Sequence, residues 1–218
     1  MTRLPRRLLL ALDGFNAAHP WDHNAHYHRW IMRQLLGSFG TALDVGCGTG
    51  ELARLLVTRA AAVEAVDSDP AVIARAQELT SPETPVTFTT ADALTGVPAG
   101  SYDVITCVAA LHHLPFADAL AHFRRHLAPG GTLVVVGLWR ARTPADHLLG
   151  AAAIVPNAVT GWIKNKGRTA CLPASMTAPV RPATMSYSEI VHEARRILPG
   201  ARVRRRLFWR YTLVWHQG

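Results

Sequence analysis

The stretch that most constrains this chain is Thr41-Ala42-Leu43-Asp44-Val45-Gly46-Cys47-Gly48-Thr49-Gly50. Leu43 to Val45 read as the end of a buried strand, and glycines follow at alternate positions, 46, 48 and 50. From Glu51 to Ala60 the spacing of Leu52, Leu55 and Leu56 predicts a helix. A glycine loop between a strand and a helix turns sharply and lets a ligand lie against bare backbone. The helix start adds unpaired N–H groups. In a parallel α/β sheet this is the place for a nucleotide-like ligand, at the carboxyl end of a strand. No Gly-Lys-Ser/Thr closes the loop, which excludes a phosphate loop. The third glycine comes too early for the dinucleotide fingerprint. Asp44, just ahead of the loop, disfavours a pyrophosphate and favours a ligand bearing a cation.

S-adenosylmethionine fits that demand, with an ammonium, a sulfonium and no phosphate. On Leu43 to Gly50 the sequence resembles the class I S-adenosylmethionine-dependent methyltransferases, and the resemblance runs from about Trp21 to the end. It implies a doubly wound α/β fold: a mostly parallel seven-stranded sheet with a C-terminal antiparallel hairpin, in a three-layer α/β/α sandwich. It also implies that Asp44 orients the methionine amine, directly or through water. Gly46, Cys47, Gly48 and Gly50 line the cofactor, with Ser68 and Val108 completing the lining. The resemblance implies S-adenosylmethionine as cofactor and S-adenosylhomocysteine as product, with no metal expected.

With 218 residues the chain is long enough for one α/β domain with a full core. Three scattered cysteines, Cys47, Cys107 and Cys171, make neither a disulfide framework nor a zinc site. Cys47 and Cys107 fall at strand ends and read as buried reduced thiols of a cytoplasmic protein. Arg6 to Asp13 is too short an apolar run for a signal peptide and reads as an amphipathic or frayed lead-in. No run is long enough to span a membrane. The formal net charge is +8, with arginines concentrated in Arg202 to Arg206. Without a stacking module or nucleic-acid motif, that run reads first as a solvated strand.

Residues 13–36 crowd together Phe15, His19, Trp21, Asp22, His23, Asn24, His26, Tyr27, His28 and Trp30. A loop and then a helix from about Asn24 to Leu36 are expected. Four histidines invite a metal reading, but a metal site needs convergent geometry and usually a carboxylate or cysteine set, and no metal is expected. Residues 1–37 read as a cap segment that packs on the sheet. Trp21 and Tyr27 are candidates to line the methionine end, because aromatic faces attract a sulfonium.

Ala62 to Asp67 reads as a second strand ending on an acid that can accept from both ribose hydroxyls. Asp69 and Pro70 already supply the cap and first turn of the next helix, 70–79, which leaves Asp67 for the ligand. That helix is expected to bury Val72, Ala76 and Leu79. Val86 to Thr90 is a third strand by alternation. After it, Asp92 matches the position at which the resemblance implies an acceptor for the adenine amino group, with Ala93 beside it. Tyr102 to Val108 is a fourth strand with a near-continuous apolar run, buried on both faces. In the family, the junction that follows, Ala109 to Leu114, sits beside the cofactor's sulfur. His112 there is the candidate catalytic base, since imidazole titrates near neutrality.

Ala117 to Leu127 is a helix burying Leu120, Phe123 and Leu127, and Thr132 to Gly137 a fifth strand. Residues 138–185 exceed an ordinary connection and read as an insertion over the active mouth, a substrate lid that is helical in its first half. Its apolar run with lysines beside it also suits a helix lying on a membrane surface. Ser186 and Glu189 form a capping box for a helix to about Leu198. Arg202 to Leu207 and Tyr211 to Trp215 form a terminal hairpin.

These readings together describe one methyltransferase domain, 1–218, acting on a small hydrophobic or aromatic acceptor by in-line methyl transfer. An RNA methyltransferase using the arginine strand, and a cofactor-binding module without turnover, are the alternatives. The fourth strand is followed by no Asn-Pro-Pro-Tyr-type motif, which counts against amide N-methylation of DNA or protein.

Overall fold

The computed structural model describes residues 6–173 and 181–218. Among them runs a seven-stranded sheet in the order β3-β2-β1-β4-β5-β7-β6. Its strands are β1 Phe39–Val45, β2 Ala60–Asp67, β3 Val86–Thr90, β4 Tyr102–Val108, β5 Leu127–Leu138, β6 Arg202–Arg206 and β7 Arg210–His216. The first five pair with one another in parallel. β7 is antiparallel to both β5 and β6. β1 lies between β2 and β4, so the winding reverses beside it, at the topological switch point where such sheets bind ligands.

The helices are α1 Arg6–Ala18, α2 His28–Met32, α3 Glu51–Leu56, α4 Pro70–Glu78, α5 Phe116–His126, α6 Pro144–Lys164 and α7 Tyr187–Ile197, with 3-10 turns at Ala25–Tyr27 and Leu111–His113. One sheet face packs Leu120, Phe123, Ile190, Ala194 and Leu198 from α5, α7 and the turn after α7. The other packs Ile31, Leu52, Leu56, Ile73 and Ala76 from α2, α3 and α4. Two covered faces make the three layers and explain the unbroken apolar runs of β4 and β5.

Local chemistry sets the boundaries. The expected helix over 24–36 is shorter, because Asp22 Oδ1 accepts from the backbone of Asn24 and Ala25 and starts a 3-10 turn. Its far end stops where Arg59 donates to the carbonyls of Met32, Leu35 and Leu36. The helix expected to reach Ala60 ends at Leu56, because Ala60 already pairs with Phe39 in the sheet. In α4 the inward residues are Ile73 and Ala76, whereas Leu79 is the C-cap and turns outward. The lead-in is a helix that runs past Asp13 to Ala18. It is held by α6: Asn157 donates to Asn16 Oδ1. A Cβ on Gly161 would lie 2.4 Å from the carbonyl oxygen of His19.

The insertion is helical in its first half, as α6. Its two ends meet in a parallel bridge between Arg140 and Ser186. Part of the expected lid, 174–180, lies outside the described residues. Thr143 with Asp146 and Ser186 with Glu189 both close capping boxes.

Asp69 caps α4 by accepting from Ala71 and Val72, with Pro70 in the first turn. Asp69→Ala is expected to lower unfolding stability by about 1 kcal/mol and to leave cofactor affinity unchanged; denaturant unfolding and calorimetric titration measure the two separately.

Candidate active site

Asp44 sits in β1 with Ala65 of β2 on one side and Thr106 of β4 on the other. It is 2% exposed. That register brings Thr106 Oγ1 to Asp44 Oδ1, donating at 2.7 Å. Among the described residues, Oδ2 is buried with no hydrogen-bond partner. Burial lifts the Asp44 pKa from 3.8 to about 7; the Thr106 hydrogen bond opposes the rise and the Asp67 charge adds to it. A buried carboxylate oxygen without a partner is costly unless a cation or donor meets it.

The glycine loop is built against two neighbours. Gly46 has φ +69, and a Cβ there would lie 2.3 Å from Ala110 Cβ, so the loop seats directly on the segment after β4. Gly48 has φ +55, and a Cβ there would meet no atom within 4 Å: bare backbone faces open space. The Gly48 N–H donates to Asp67 Oδ2 at 3.0 Å. Asp67 Oδ1 accepts from the Asp69 N–H at 3.1 Å. Asp67 therefore ties the loop to the β2–α4 turn. The expectation that it has no structural duty is corrected here: the carboxylate has two oxygens and each holds one backbone donor. Ser68, next to it, is exposed.

Cys47 is buried, and burial followed by the charges of Asp44 and Asp67 pushes its thiol well above the ordinary range. It is a neutral wall of the loop, and among the described residues all three cysteines are free. Asp92 is exposed, and its Oδ1 accepts from the Leu94 and Thr95 backbones and from Thr95 Oγ1. The two backbone bonds hold its carboxyl below the usual range. Ala93 is half-buried against the core. Val108 ends β4, half-buried.

Beyond Val108 the chain passes through Ala109 at φ +53, a left-handed conformation uncommon for a residue with a Cβ. The Leu111–His113 turn follows. The rings of His112 and His113 lie 4.0 Å apart. His112 is half-buried, and its Nδ1 has no hydrogen-bond partner among the described residues. Burial first, then the neighbouring His113 and Arg210, lower its pKa from 6.5 to about 4. The ring is therefore neutral at physiological pH, its Nδ1 is buried, and the expectation that it titrates near neutrality is corrected: burial makes it a weaker base than a free imidazole.

Trp21 and Tyr27 are both buried in the seam between the N-terminal segment, α6 and the β6–β7 turn. Trp21 Nε1 donates to Asn157 Oδ1 at 3.1 Å. The cation over its ring in this structure is Lys164, 5.1 Å from the centroid. Tyr27 donates its hydroxyl to the Leu207 carbonyl at 2.6 Å. The histidines of this segment stack rather than converge: His23 and His26 pack on Trp21 and Phe208.

Several residues of the site escaped the sequence reading. Thr106, the partner of Asp44, was detectable as a polar residue within an apolar strand. Arg210 donates to Asn24 Oδ1 at 3.0 Å and is near enough to His112 to lower its pKa. Glu51, whose carboxyl is raised by burial and by the charge of Asp22, opens α3 beside the loop. The last two depend on chain segments far apart in sequence, which no local pattern signals.

A methyltransferase-domain family model matches residues 43–135. An uncharacterized methyltransferase of Mycobacterium tuberculosis is 32% identical over 209 residues, covering 90% of this chain and 96% of the relative. The chain belongs to the class I S-adenosylmethionine-dependent methyltransferases. A ubiquinone biosynthesis O-methyltransferase of Azotobacter vinelandii is 36% identical over 124 residues, 55% of this chain and 53% of that one. Among solved structures, the N-methyltransferase NodS of Bradyrhizobium japonicum, in complex with S-adenosylhomocysteine, superposes with a TM-score of 0.58 at 18% identity, over 95% of this chain and 97% of its own. The sheet order and its switch point are therefore those of a methyltransferase fold.

Two outcomes are expected for this methyltransferase. The stability that Asp44 contributes is fully present only at pH values well below the unfolded-chain pKa of 3.8, where it is protonated in both folded and unfolded chains. It is lost as pH rises to about 7, because only the unfolded chain ionises freely in that window. Unfolding midpoints measured across the window should fall with pH for the parent and flatten for Asp44→Asn. Asp67→Ala removes the acceptor for two backbone donors and should lower stability by about 1–3 kcal/mol, as well as weakening cofactor binding; a melting curve identical to the parent's is incompatible with the tether.

Proposed function

We propose that the protein transfers the methyl group of S-adenosylmethionine to a small apolar or aromatic acceptor whose nucleophile carries a proton. The observation behind the proposal is a pairing around one loop. Gly46, two residues after Asp44, packs on Ala110, two residues before His112; Asp44 carries a buried carboxylate oxygen without a partner and His112 a half-buried neutral imidazole. The carboxylate suits an ammonium, and the imidazole suits a proton leaving the acceptor.

Bound S-adenosylmethionine supplies a methyl group already activated on a sulfonium. The chain then has to hold, align and exclude water. Asp44 meets the amino acid end, and Gly48 leaves room for the ligand against bare backbone. Asp67 retains lone pairs for ribose hydroxyls while it anchors the loop. Asp92 and Ala93 border the adenine. His112 accepts the acceptor's proton at Nδ1 if the nucleophile needs to lose one. The whole chain acts as one domain, with residues 1–37 as its cap and 138–185 as its lid. The reduced buried thiols suit a cytoplasmic protein.

One feature supports an apolar acceptor. A partial relative is a ubiquinone biosynthesis O-methyltransferase by name. The RNA alternative gains little from the arginine strand. Arg205 pairs with Asp146 at 2.7 Å and lies over Tyr187, while Arg206 lies over Trp30 and donates to Thr212.

A panel of phenolic, quinol, amine and carboxylate acceptors with labelled cofactor tests the reading. With the acceptor found, His112→Asn is expected to lower kcat by about two to four orders of magnitude and to leave cofactor affinity nearly unchanged. Full activity in that variant would remove His112 from the chemistry.

A further inference from the structure

Helix α6, Pro144–Lys164, has its sides reversed relative to an ordinary surface helix. The residues it buries are small or polar: Asp146, Ala153, Asn157 and Gly161. The residues it exposes are large and apolar: Leu148 is 73% exposed, Val155 67%, Ile163 61%, Trp162 50% and Val159 49%. Ala151 and Ala152 are exposed between them. At about 100° per residue these seven fall within an arc of about 120°, centred opposite the buried four. The inward side is fixed: Asn157 accepts from Trp21 and donates to Asn16, and Gly161 touches the His19 carbonyl. The helix cannot turn its apolar side inward without losing these contacts.

The stripe itself holds no charged residue. No Asp or Glu occurs from His147 to Ser188, and no Lys or Arg interrupts the helix before Lys164. Lys164, Lys166 and Arg168 then follow at its C-terminal end, all exposed, beside Trp162. Helix α1, packed against α6, adds exposed Leu10 and Phe15 and exposed Arg7. An apolar stripe ending in an aromatic residue and a basic cluster matches a bilayer with anionic headgroups: side chains enter the acyl boundary while the basic groups meet phosphates. Among the described residues no helix is long and apolar enough to cross a membrane, so the fitting orientation is in the plane of the surface.

We propose that α6, flanked by α1, docks this protein on the surface of an anionic membrane. The proposal goes beyond the assignment of the acceptor and is read without catalysis. The full-length protein is mixed with phosphatidylcholine vesicles, with and without phosphatidylglycerol, and separated by flotation at low and high salt. The parent is expected to float with the anionic vesicles, and less so at high salt. Val155→Ser/Val159→Ser/Ile163→Ser should reduce the bound fraction at least about tenfold on both kinds of vesicle. Lys166→Gln/Arg168→Gln should reduce it on the order of tenfold on anionic vesicles only. Melting curves and S-adenosylhomocysteine titration verify that each variant is folded. If the triple variant melts early, Leu148→Glu alone replaces it. A parent that does not float, or a triple variant that floats equally well, overturns the proposal. So does a parent that light scattering finds dimeric and the triple variant monomeric, since the stripe would then be covered by a second copy.

Discussion

The site depends on the register between β1 and β4. Asp44 and Thr106 are neighbours across two strands far apart in sequence, and one hydrogen bond of 2.7 Å joins them. The bond satisfies one carboxylate oxygen and leaves the other buried without a partner. A carboxylate so placed is unfavourable to ionise, which is why its pKa rises to about 7. The fold tolerates that cost because β1 lies at the switch point, flanked on both sides by parallel strands that fix its position. A shift of one residue in that register would turn Asp44 to the opposite face of the sheet.

A second set of constraints joins the N-terminal segment, α6 and the terminal hairpin. Asn157 of α6 meets Trp21, His23 and Asn16. Phe208 and Trp209 both take positive φ in the β6–β7 turn, a conformation unfavourable for bulky residues. Phe208 is held there by packing on Trp21, His23 and His26. Cap, insertion and terminal hairpin thus meet in one aromatic seam. The aromatic residues that looked free for a ligand are largely engaged with each other.

The sequence by itself determined the elements whose causes are local. Alternation and β-branching marked β3, a near-continuous apolar run marked β4, Asp69 with Pro70 marked the start of α4, and Ser186 with Glu189 marked α7; all are where those signals put them. The glycine loop with its preceding acid pointed to the ligand class, because glycine spacing and a carboxylate act through the backbone and charge of a few consecutive residues. Only the tertiary structure decided the rest. That Thr106 partners Asp44, that Asp67 holds Gly48, and that Trp21 faces Lys164 follow from strand order and helix docking. Which side of α6 faces outward was likewise set by Asn157 and Gly161 meeting α1 and Trp21. Each of these joins residues distant in sequence, and a contact of that kind exists only once the intervening elements have packed.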